Sequence, residues 1–254
     1  MSRPAPSHAL VLLRHGESTA NAADTFGGWL DCPLTPRGRE EAAAAALLIR
    51  NSGLTPASIH TSVLTRAVDT AAVVARTAAP PDVSVNRTWR LNERHYGRLE
   101  GRRRRAVREE FGDELFAQWR RSYDLTPPAI DADDPTHPRH DARYRGVDPA
   151  DLPSAESLAD VRHRLLPYWT ETIAPDLRAG RTTLVVAHGN SLRALCMVLD
   201  CLTPEEVRSL HIPTGVPLRY DLDATMTPAV RGGRYLDPRR AAAGIAEVAA
   251  QGTR

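Results

Sequence analysis

Ala9-Leu10-Val11-Leu12-Leu13 runs directly into Arg14-His15-Gly16, and this stretch decides the fold. A short continuous apolar run is typical of a strand that is buried on both faces. The same order returns far along the chain, where His188-Gly189-Asn190 follows Thr183-Leu184-Val185-Val186-Ala187. A helix-compatible segment comes after each pair, most clearly at Ser191 to Leu199. The sequence therefore contains two strand-His-Gly-helix units.

The residues between the two units also alternate between strand and helix patterns. Thr35-Pro36 predicts the start of an alanine-rich helix, which Gly53 ends. Ser58 to Ser62 is typical of a short strand, and Leu64 to Ala78 of another helix. This alternation predicts a layered α/β sheet. Residues 129–152 lack periodicity and predict a long loop, and no linker divides the chain, so we expect one domain over residues 1–254.

The charge balance excludes some kinds of chemistry. The 254 residues include 33 basic and 31 acidic side chains, a net charge of +2, which is too small to attract polyanions over the whole surface. All 33 basic residues are Arg, so chemistry that needs a lysine is excluded. Arg, with its permanent charge and forked donors, suits bidentate binding of phosphate and carboxylate. Any attraction to anions must therefore be local.

The cysteines and the apolar runs favour a cytoplasmic protein. Cys32, Cys196 and Cys201 form no CxxC pair, so neither a disulfide framework nor a cysteine-rich zinc site is indicated. The N-terminal apolar run is too short for a signal sequence, and no stretch approaches the ~18 apolar residues of a membrane span. We expect a protein that does not enter a membrane.

The two His-Gly pairs lie where buried strands end, which is where ligands bind in open α/β sheets. A neutral imidazole is a competent nucleophile toward phosphorus, and Arg14 beside His15 can neutralise phosphoryl oxygens. His188 precedes a glycine and the positive end of a helix, which is a favourable seat for phosphate. A structural role stays open for either histidine alone, but the pair favours a shared anion site.

Arg66 and Glu93 are further candidates. Arg66 lies in the first turn of its predicted helix and could reach a shared anion, although Arg is common throughout this chain. Glu93 stands beside Arg94, His95 and Tyr96 and could give and take the proton of an alcohol oxygen during phosphoryl transfer. A plain Glu-Arg ion pair is the alternative.

Two runs of arginine have different interpretations. Arg102 to Arg105 is followed by acidic residues, which favours a solvated helix face over a nucleic-acid-binding patch. Arg120-Arg121 suits a small ligand that carries both a carboxylate and a phosphate. His137 and His140 lie among aspartates but fit no zinc or calcium spacing, so no metal site is predicted.

Longer strings stand in order along the chain. They are Arg14-His15-Gly16-Glu17-Ser18 with Asn21, Gly28-Trp29, Ser62 to Thr70 around Arg66, Trp89 to Gly97, Arg120-Arg121-Ser122, Glu156-Ser157-Leu158, Ala187 to Arg193 and Ile212-Pro213-Thr214-Gly215. With these strings the chain resembles the cofactor-dependent phosphoglycerate mutases of the histidine phosphatase superfamily, from Leu10 to the C-terminal tail. The resemblance implies a three-layer α/β/α fold with a mostly parallel central sheet between helices.

The resemblance also implies roles for individual residues. His15 would become phosphorylated, with Arg14, Arg66 and His188 holding the phosphoryl group, and Glu93 would donate and accept the proton. The substrate-binding residues would be Ser18, Asn21, Gly27, Gly28, Arg94, His95, Tyr96, Arg104, Arg120, Arg121, Gly189 and Asn190. No metal is implied.

The chain departs from the family pattern at two positions. Gly27 stands where the family usually has a threonine, so a hydroxyl that would help to hold the substrate carboxylate is lost. Arg104 stands where the family usually has a lysine, which keeps the charge but changes its reach. Residues 235–254 match the mobile C-terminal tail of the mutases, which plain phosphatases of the superfamily tend to lack.

The resemblance therefore implies a glycolytic and gluconeogenic isomerase. It would interconvert 3-phosphoglycerate and 2-phosphoglycerate through a phosphohistidine, primed by 2,3-bisphosphoglycerate. We also expect a homo-oligomer, either a dimer or a tetramer, without nucleic-acid or membrane partners. Two alternatives stay open: a phosphatase that hydrolyses small phosphomonoesters, and a non-catalytic protein that binds phosphorylated ligands.

Overall fold

The computed structural model describes residues 8–251. The strands and helices in chain order are β1 (His8–Arg14), α1 (Thr19–Ala22), α2 (Pro36–Asn51), β2 (Ser58–Thr61), α3 (Thr65–Ala78), β3 (Ser84–Arg87), α4 (Arg104–Arg121), α5 (Leu158–Tyr168), α6 (Ala174–Arg178), β4 (Thr183–Ala187), α7 (Gly189–Asp200), α8 (Pro204–Arg208), β5 (Leu218–Leu222), β6 (Arg234–Tyr235) and α9 (Pro238–Ala249). A π-helical turn (Trp169–Ile173) joins α5 to α6, and α4 is kinked at Gly112.

The sheet has six strands in the order β3-β2-β4-β1-β5-β6. The first four strands are parallel to one another, and β5 runs antiparallel to both β1 and β6. β1 and β4, the strands of the two strand-His-Gly-helix units, are direct neighbours, with Arg14 opposite Ala187. His15 and His188 therefore leave the sheet side by side, as the sequence pattern predicts.

Helices cover both faces of the sheet. Leu10 and Leu12 of β1 pack in a core with α5, α6 and α7, whereas Val11 and Leu13 pack in a second core with α2 and α3. Because successive side chains of a strand point to opposite faces, one continuous apolar run supplies both cores. The predicted three-layer α/β/α fold with a mostly parallel sheet is confirmed.

The start of α2 packs against the first His-Gly pair. Thr35 caps this helix by accepting a hydrogen bond from the Gly38 N–H, as the Thr-Pro signal predicts. A Cβ at Gly16 would lie 2.0 Å from the carbonyl oxygen of Gly38, and a Cβ at Gly38 would lie 2.0 Å from that of Glu17. Both glycines are thus required by the close approach of two backbones.

Residues 129–152 form a long connection that contains three short 3-10 turns. Tyr144 and His137 from this segment are buried. The Tyr144 ring lies 4.8 Å from that of Trp29, and the Tyr144 hydroxyl accepts a hydrogen bond from Asn92. The connection therefore packs on the turn that carries Glu93.

The C-terminal segment, residues 235–254, begins at the end of β6 and continues into α9, which starts at the side-chain cap of Asp237. Residues 252–254 lie outside the described part of the chain. A Cβ at Gly244 would lie 2.7 Å from the Cβ of Pro213, so α9 packs closely on the loop before β5. The segment thereby reaches the carboxyl edge of the sheet.

The arginines around the start of α4 are paired. Arg102 pairs with Glu110 and Arg108 with Asp113, and Arg105 donates to Glu109 at 2.7 Å. These pairs offset the positive charge locally, as expected for a solvated helix face. Arg104 is the exception, because it is buried and lines a pocket, so the interpretation is wrong for this residue.

Candidate functional site

His15 is fixed in a single orientation at the end of β1. Its Nδ1 lies 2.7 Å from the carbonyl oxygen of Gly16, which can only accept, so Nδ1 carries the proton. Arg66 Nε donates to Nε2 of the same ring at 3.3 Å, which requires a lone pair on Nε2. Burial, with the charges of Arg66 and Arg14, holds the pKa of His15 well below 6.5. The ring is therefore neutral and presents Nε2 as a nucleophile.

His188 stands beside His15, with the two ring centroids 4.9 Å apart. Its Nε2 lies 2.7 Å from the Ser62 hydroxyl oxygen, while its Nδ1 is buried without a hydrogen-bond partner in the described residues. Burial and the charge of Arg66 keep the pKa of His188 well below 6.5 as well. Because His188 immediately precedes α7, the positive end of that helix faces the same space.

Two buried guanidiniums flank the imidazoles and are aimed by backbone carbonyls. Arg14 Nη1 donates to Ile212 O at 2.8 Å, and Arg14 Nε is buried without a partner among residues 8–251. Arg66 donates to Gly28 O at 2.7 Å and to Leu30 O at 2.8 Å. Burial lowers the pKa of both arginines. These two cations can neutralise the oxygens of a phosphoryl group at His15 Nε2.

Glu93 contributes a carboxylate to the same space. Its Oε1 accepts hydrogen bonds from the backbone N–H groups of Arg94 at 2.8 Å and Asn190 at 3.0 Å. A Cβ at Gly189 would lie 3.6 Å from both Glu93 Oε2 and Arg14 Cζ. The carboxylate and the guanidinium thus approach the same glycine, and Glu93 is positioned to exchange a proton with a group bound beside Arg14.

The turn that holds Glu93 is itself braced by a buried ion pair. Arg164 on α5 donates to the carbonyl oxygen of Glu93 at 2.9 Å and pairs with Glu156 at 2.6 Å. Trp29 Nε1 donates to the same Glu93 oxygen at 2.5 Å. Removing Arg164 or Glu156 would leave the other as a buried charge without its counter-ion.

The far end of the pocket is also cationic. Arg104, Arg120 and Arg121 come from α4, and Arg193 from α7. Burial and neighbouring guanidiniums lower the pKa of Arg120 to about 9, and that of Arg121 and of Arg193 to about 10. Arg120, Arg121 and Arg193 therefore remain charged near neutral pH. His211 lies among these arginines, and burial with their charges lowers its pKa to about 4.

Most of the residues proposed from the sequence line this one pocket. They are Arg14, His15, Ser18, Asn21, Gly27, Gly28, Arg66, Glu93, Tyr96, Arg104, Arg120, Arg121, Gly189 and Asn190. His188 is buried directly behind His15. The pocket wall does not include Arg94 or His95.

Arg94 and His95 face the protein interior. Arg94 is fully buried, donates to the carbonyl oxygen of Trp119 at 2.6 Å and lies 4.6 Å above the Tyr96 ring. His95 Nδ1 accepts from the Gly97 N–H at 3.0 Å. Both side chains therefore pack beneath the neighbouring pocket residues and do not form part of the pocket surface.

Other lining residues were not assigned from the sequence. Arg193, Leu210, His211, Ile212, Val248 and Gln251 all contribute to the wall. Arg193 stands one helical turn after Asn190, so its spacing on the helix that follows His188 was an available signal. Val248 and Gln251 carried no comparable signal, because the docking of α9 over the pocket is a long-range contact.

The two departures from the family pattern both lie in the wall. A Cβ at Gly27 would come 3.2 Å from the Cβ of Ala20, so the backbone runs close to α1 there. Arg104 donates to Asp24 at 2.7 Å and stacks on Phe26 at 5.4 Å. The guanidinium of Arg104 is therefore already oriented by the protein.

Among residues 8–251, no group of three or more His, Cys, Asp or Glu side chains is arranged to hold a metal ion. The same part of the chain contains no helix that is long and apolar enough to cross a membrane.

Solved structures with this fold include phosphatases and hydrolases. Mycobacterial hydrolase 1 matches with a TM-score of 0.69 at 24% identity, over 89% of this chain and 99% of that one. Mycobacterial glucosyl-3-phosphoglycerate phosphatase matches with a TM-score of 0.65 at 26% identity, over 84% and 92%. YhfR of Bacillus stearothermophilus has a TM-score of 0.66 at 25% identity, over 90% and 98%.

More similar sequences share the name 2,3-bisphosphoglycerate-dependent phosphoglycerate mutase. The protein of that name from Nocardia farcinica is 49% identical over 97% of this chain and 99% of its own length. The one from Rhodococcus jostii is 51% identical over 96% of both chains. Residues 10–224 match the family model of branch 1 of the histidine phosphatase superfamily. The chain belongs to this branch of the histidine phosphatase superfamily.

Proposed function

We propose that this chain is a 2,3-bisphosphoglycerate-dependent phosphoglycerate mutase, an isomerase that interconverts 3-phosphoglycerate and 2-phosphoglycerate in glycolysis and gluconeogenesis. One observation carries the proposal: a neutral His15 with an unprotonated Nε2 lines a pocket that also holds Glu93 and a second cluster of arginines. That arrangement suits a small ligand with a reacting phosphate at one end and other anionic groups at the far end. The similarity to mutases along nearly the whole chain supports it.

The reacting end suits transfer through a phosphohistidine. His15 Nε2 forms a bond to phosphorus as the bond from phosphorus to the ester oxygen breaks, and Glu93 delivers a proton to that oxygen. In the opposite sense, Glu93 removes the proton of the attacking hydroxyl while the phosphorus–nitrogen bond breaks. Arg14, Arg66 and His188 stabilise the charge on the phosphoryl oxygens throughout.

The pocket residues fit 2,3-bisphosphoglycerate, a polyanion. Arg14, Arg66, Arg104, Arg120 and Arg121 line the pocket, and Nε of Arg14 is buried without a partner in the described chain. When bound, 2,3-bisphosphoglycerate supplies the phosphoryl group that first loads His15. Arg120 and Arg121 would hold its far phosphate or its carboxylate.

We expect a homo-oligomeric, cytoplasmic enzyme whose ligands are small phosphoglycerates. β3 lies at the edge of the sheet and all four of its residues are exposed. An exposed edge strand can pair with a second copy of the same strand. This edge supports a dimer built across β3.

A phosphatase activity is the second candidate. It is favoured by the similarity to mycobacterial glucosyl-3-phosphoglycerate phosphatase, at 26% identity. The same site would hydrolyse phosphomonoesters if water reached phosphorylated His15 faster than a phosphoglycerate did. The two reactions share a first step and differ only in the acceptor.

An enolase-coupled assay, run with and without 2,3-bisphosphoglycerate, separates the two activities. We expect turnover of 3-phosphoglycerate that rises on addition of 2,3-bisphosphoglycerate, with little release of inorganic phosphate. Phosphate release without formation of 2-phosphoglycerate would replace the mutase with the phosphatase. If neither 2-phosphoglycerate nor inorganic phosphate forms, the result would indicate a non-catalytic binding protein.

A further inference from the structure

Three polar side chains of the pocket wall, Arg193 and Asn190 on α7 and Tyr96, are joined in a row by hydrogen bonds. Arg193 Nη1 donates to Asn190 Oδ1 at 2.8 Å, and Asn190 Nδ2 donates to the Tyr96 hydroxyl oxygen at 2.9 Å. Arg193 and Asn190 are almost fully buried, at 3% and 6% exposure. All three residues line the pocket.

The direction of these hydrogen bonds follows from the chemistry of arginine. A guanidinium has donors and no acceptor, so the atom of Asn190 that faces Arg193 must be the oxygen. The amide nitrogen of Asn190 then faces Tyr96, and the Tyr96 oxygen must accept. Without Arg193, the amide could turn over and accept the Tyr96 proton instead.

Arg193 is anchored well enough to impose this orientation. Its second terminal nitrogen, Nη2, donates to the carbonyl oxygen of Val207 on α8 at 2.7 Å. The two contacts are made by the two arms of one planar group, so neither can rotate independently. Although burial and the nearby charge of Arg94 lower the pKa of Arg193 to about 10, the group stays protonated near neutral pH.

The orientation of the Asn190 amide determines the hydrogen bonding of the Tyr96 hydroxyl. Its oxygen is occupied by the Asn190 amide, and the Arg94 guanidinium over its ring is also positive. Within the described chain no acceptor is found for the Tyr96 proton, so the O–H is available to the pocket. We infer that Arg193 is a positioning residue that, through Asn190, turns the Tyr96 hydroxyl into a donor for an anionic oxygen of the ligand.

The inference rests on the proposed function only for the choice of ligand. With the amide of Asn190 reversed, Tyr96 would donate to Asn190 and present lone pairs to the anion, which is repulsive. The orientation of one buried amide would thus decide whether a wall residue attracts or repels the ligand.

A double-mutant cycle on ligand affinity tests the inference. Calorimetry would give the Kd of 3-phosphoglycerate for the wild type, Arg193→Met, Tyr96→Phe and the double variant. A hydrogen bond to a charged group corresponds to roughly 10-fold or more in affinity, so we expect each single change to weaken binding about 10-fold. The double variant should then bind within about 2-fold of Tyr96→Phe.

The inference would be overturned if the Arg193 and Tyr96 substitutions weakened binding independently of each other. If Arg193→Met still weakens binding about 10-fold in the Tyr96→Phe background, Arg193 acts through its charge or a direct contact. The same cycle with Arg193→Lys, which keeps the charge but loses the two-armed anchor, serves if the methionine variant does not fold.

Arg208→Met is the matched control, because Arg208 is an exposed arginine beside Val207 on α8. It should leave the Kd unchanged, and an equal loss there would contradict the specific role of Arg193. Failure of the wild type to bind 3-phosphoglycerate would refute the proposed function, and the cycle would then be measured with inorganic phosphate.

Discussion

The two ends of the pocket are built from different parts of the fold. At the reacting end, His15 and His188 follow the central strands β1 and β4 and are at most 2% exposed. At the far end, Arg120 and Arg121 come from the last turn of α4 and are partly exposed. The carbonyl oxygen of Gln251, two residues beyond α9, accepts a hydrogen bond from Arg120 Nη1 at 2.6 Å.

The difference teaches which part of the reaction needs a fixed geometry. Bond making at phosphorus requires a nucleophile and charges held within a fraction of an ångström, and strand ends in a doubly covered sheet supply that rigidity. Binding and release require an end that can open, and the peripheral elements α4 and α9 surround that end.

The largest expected effect is at the reacting end. His15→Ala should lower turnover by more than ~10³-fold, because no neighbouring side chain can replace Nε2 as a nucleophile. Affinity for 3-phosphoglycerate should fall far less, since the far-end arginines remain. Mass spectrometry after incubation with 2,3-bisphosphoglycerate should find one acid-labile phosphate in the wild type, on His15. A phosphate on His188 or on a serine would overturn the assignment of His15 as the nucleophile.

Glu93→Gln should slow transfer to and from the ligand hydroxyl by roughly 10²- to 10⁴-fold, because an amide keeps the shape but cannot carry the proton. The backbone N–H of Asn190 can still donate to the amide oxygen, so binding should persist. Rapid-quench measurement of the transfer step, beside calorimetry, separates the two. Unchanged turnover would move the proton transfer to another group.

Deletion of residues 244–254 should open the pocket beside Arg120 to water. We expect the fold to persist, mutase turnover to fall by roughly 10²-fold, and hydrolysis of 2,3-bisphosphoglycerate to rise relative to it, because the segment that covers Arg120 is lost. Circular dichroism checks the fold, and phosphate release is compared with enolase-coupled turnover. Equal losses of both activities would show that the segment does not exclude water.

Acid should destabilise the folded chain, and the two histidines of the reacting end should contribute to the loss. The pKa values of His15 and His188 are held well below 6.5 in the folded chain. Below pH 6.5 the unfolded chain therefore binds protons that the folded chain does not, and the free energy of unfolding falls by up to ~1.4 kcal/mol per pH unit for each such histidine. Urea unfolding at pH 7, 6 and 5 measures the slope.

His15→Gln should make that slope shallower, since one of the contributing groups is removed. An identical slope in this variant would mean that other groups govern the acid sensitivity. Arg120, Arg121 and Arg193 keep their charge over this range, whereas His211, whose pKa is lowered to about 4, adds to the slope.

The smallest effect is expected from the ion pair that joins α9 to α2. Arg37 and Glu247 lie 3.0 Å apart and are more than half exposed, at 55% and 54%. Exposed pairs contribute little, so Glu247→Gln should change the KM for 3-phosphoglycerate by about 2-fold at most. Glu205→Gln, an exposed carboxylate on α8, is the control. A change in KM above about 10-fold would show that this ion pair holds α9 over the pocket.

The reacting end of the pocket could largely be predicted from the sequence, because the patterns that indicate its strands and histidines are local. The apolar runs 9–13 and 183–187 are long enough to be strands and short enough not to be helices. A polar triplet directly after a buried strand must emerge at the sheet edge. Two such triplets on neighbouring parallel strands meet there for geometrical reasons alone.

Two residues that the motif assigned to substrate binding do not line the pocket. Arg94 and His95 follow Glu93 directly, yet they turn into the interior, because the backbone from Asn92 to Tyr96 has no regular period. Without a period, adjacent side chains have no fixed relative direction, and a motif can name residues without saying which of them reach the ligand.

Local sequence patterns predicted the layered fold, the histidine pair at the strand ends and the arginine-rich character of the candidate site. Contacts between distant parts of the chain place Arg66 against Nε2 of His15, Asn190 against Tyr96, and Gln251 against Arg120. The physical reason is distance along the chain. Local patterns specify elements and their ends, whereas hydrogen-bond direction and the cover of the pocket depend on contacts between residues far apart in sequence.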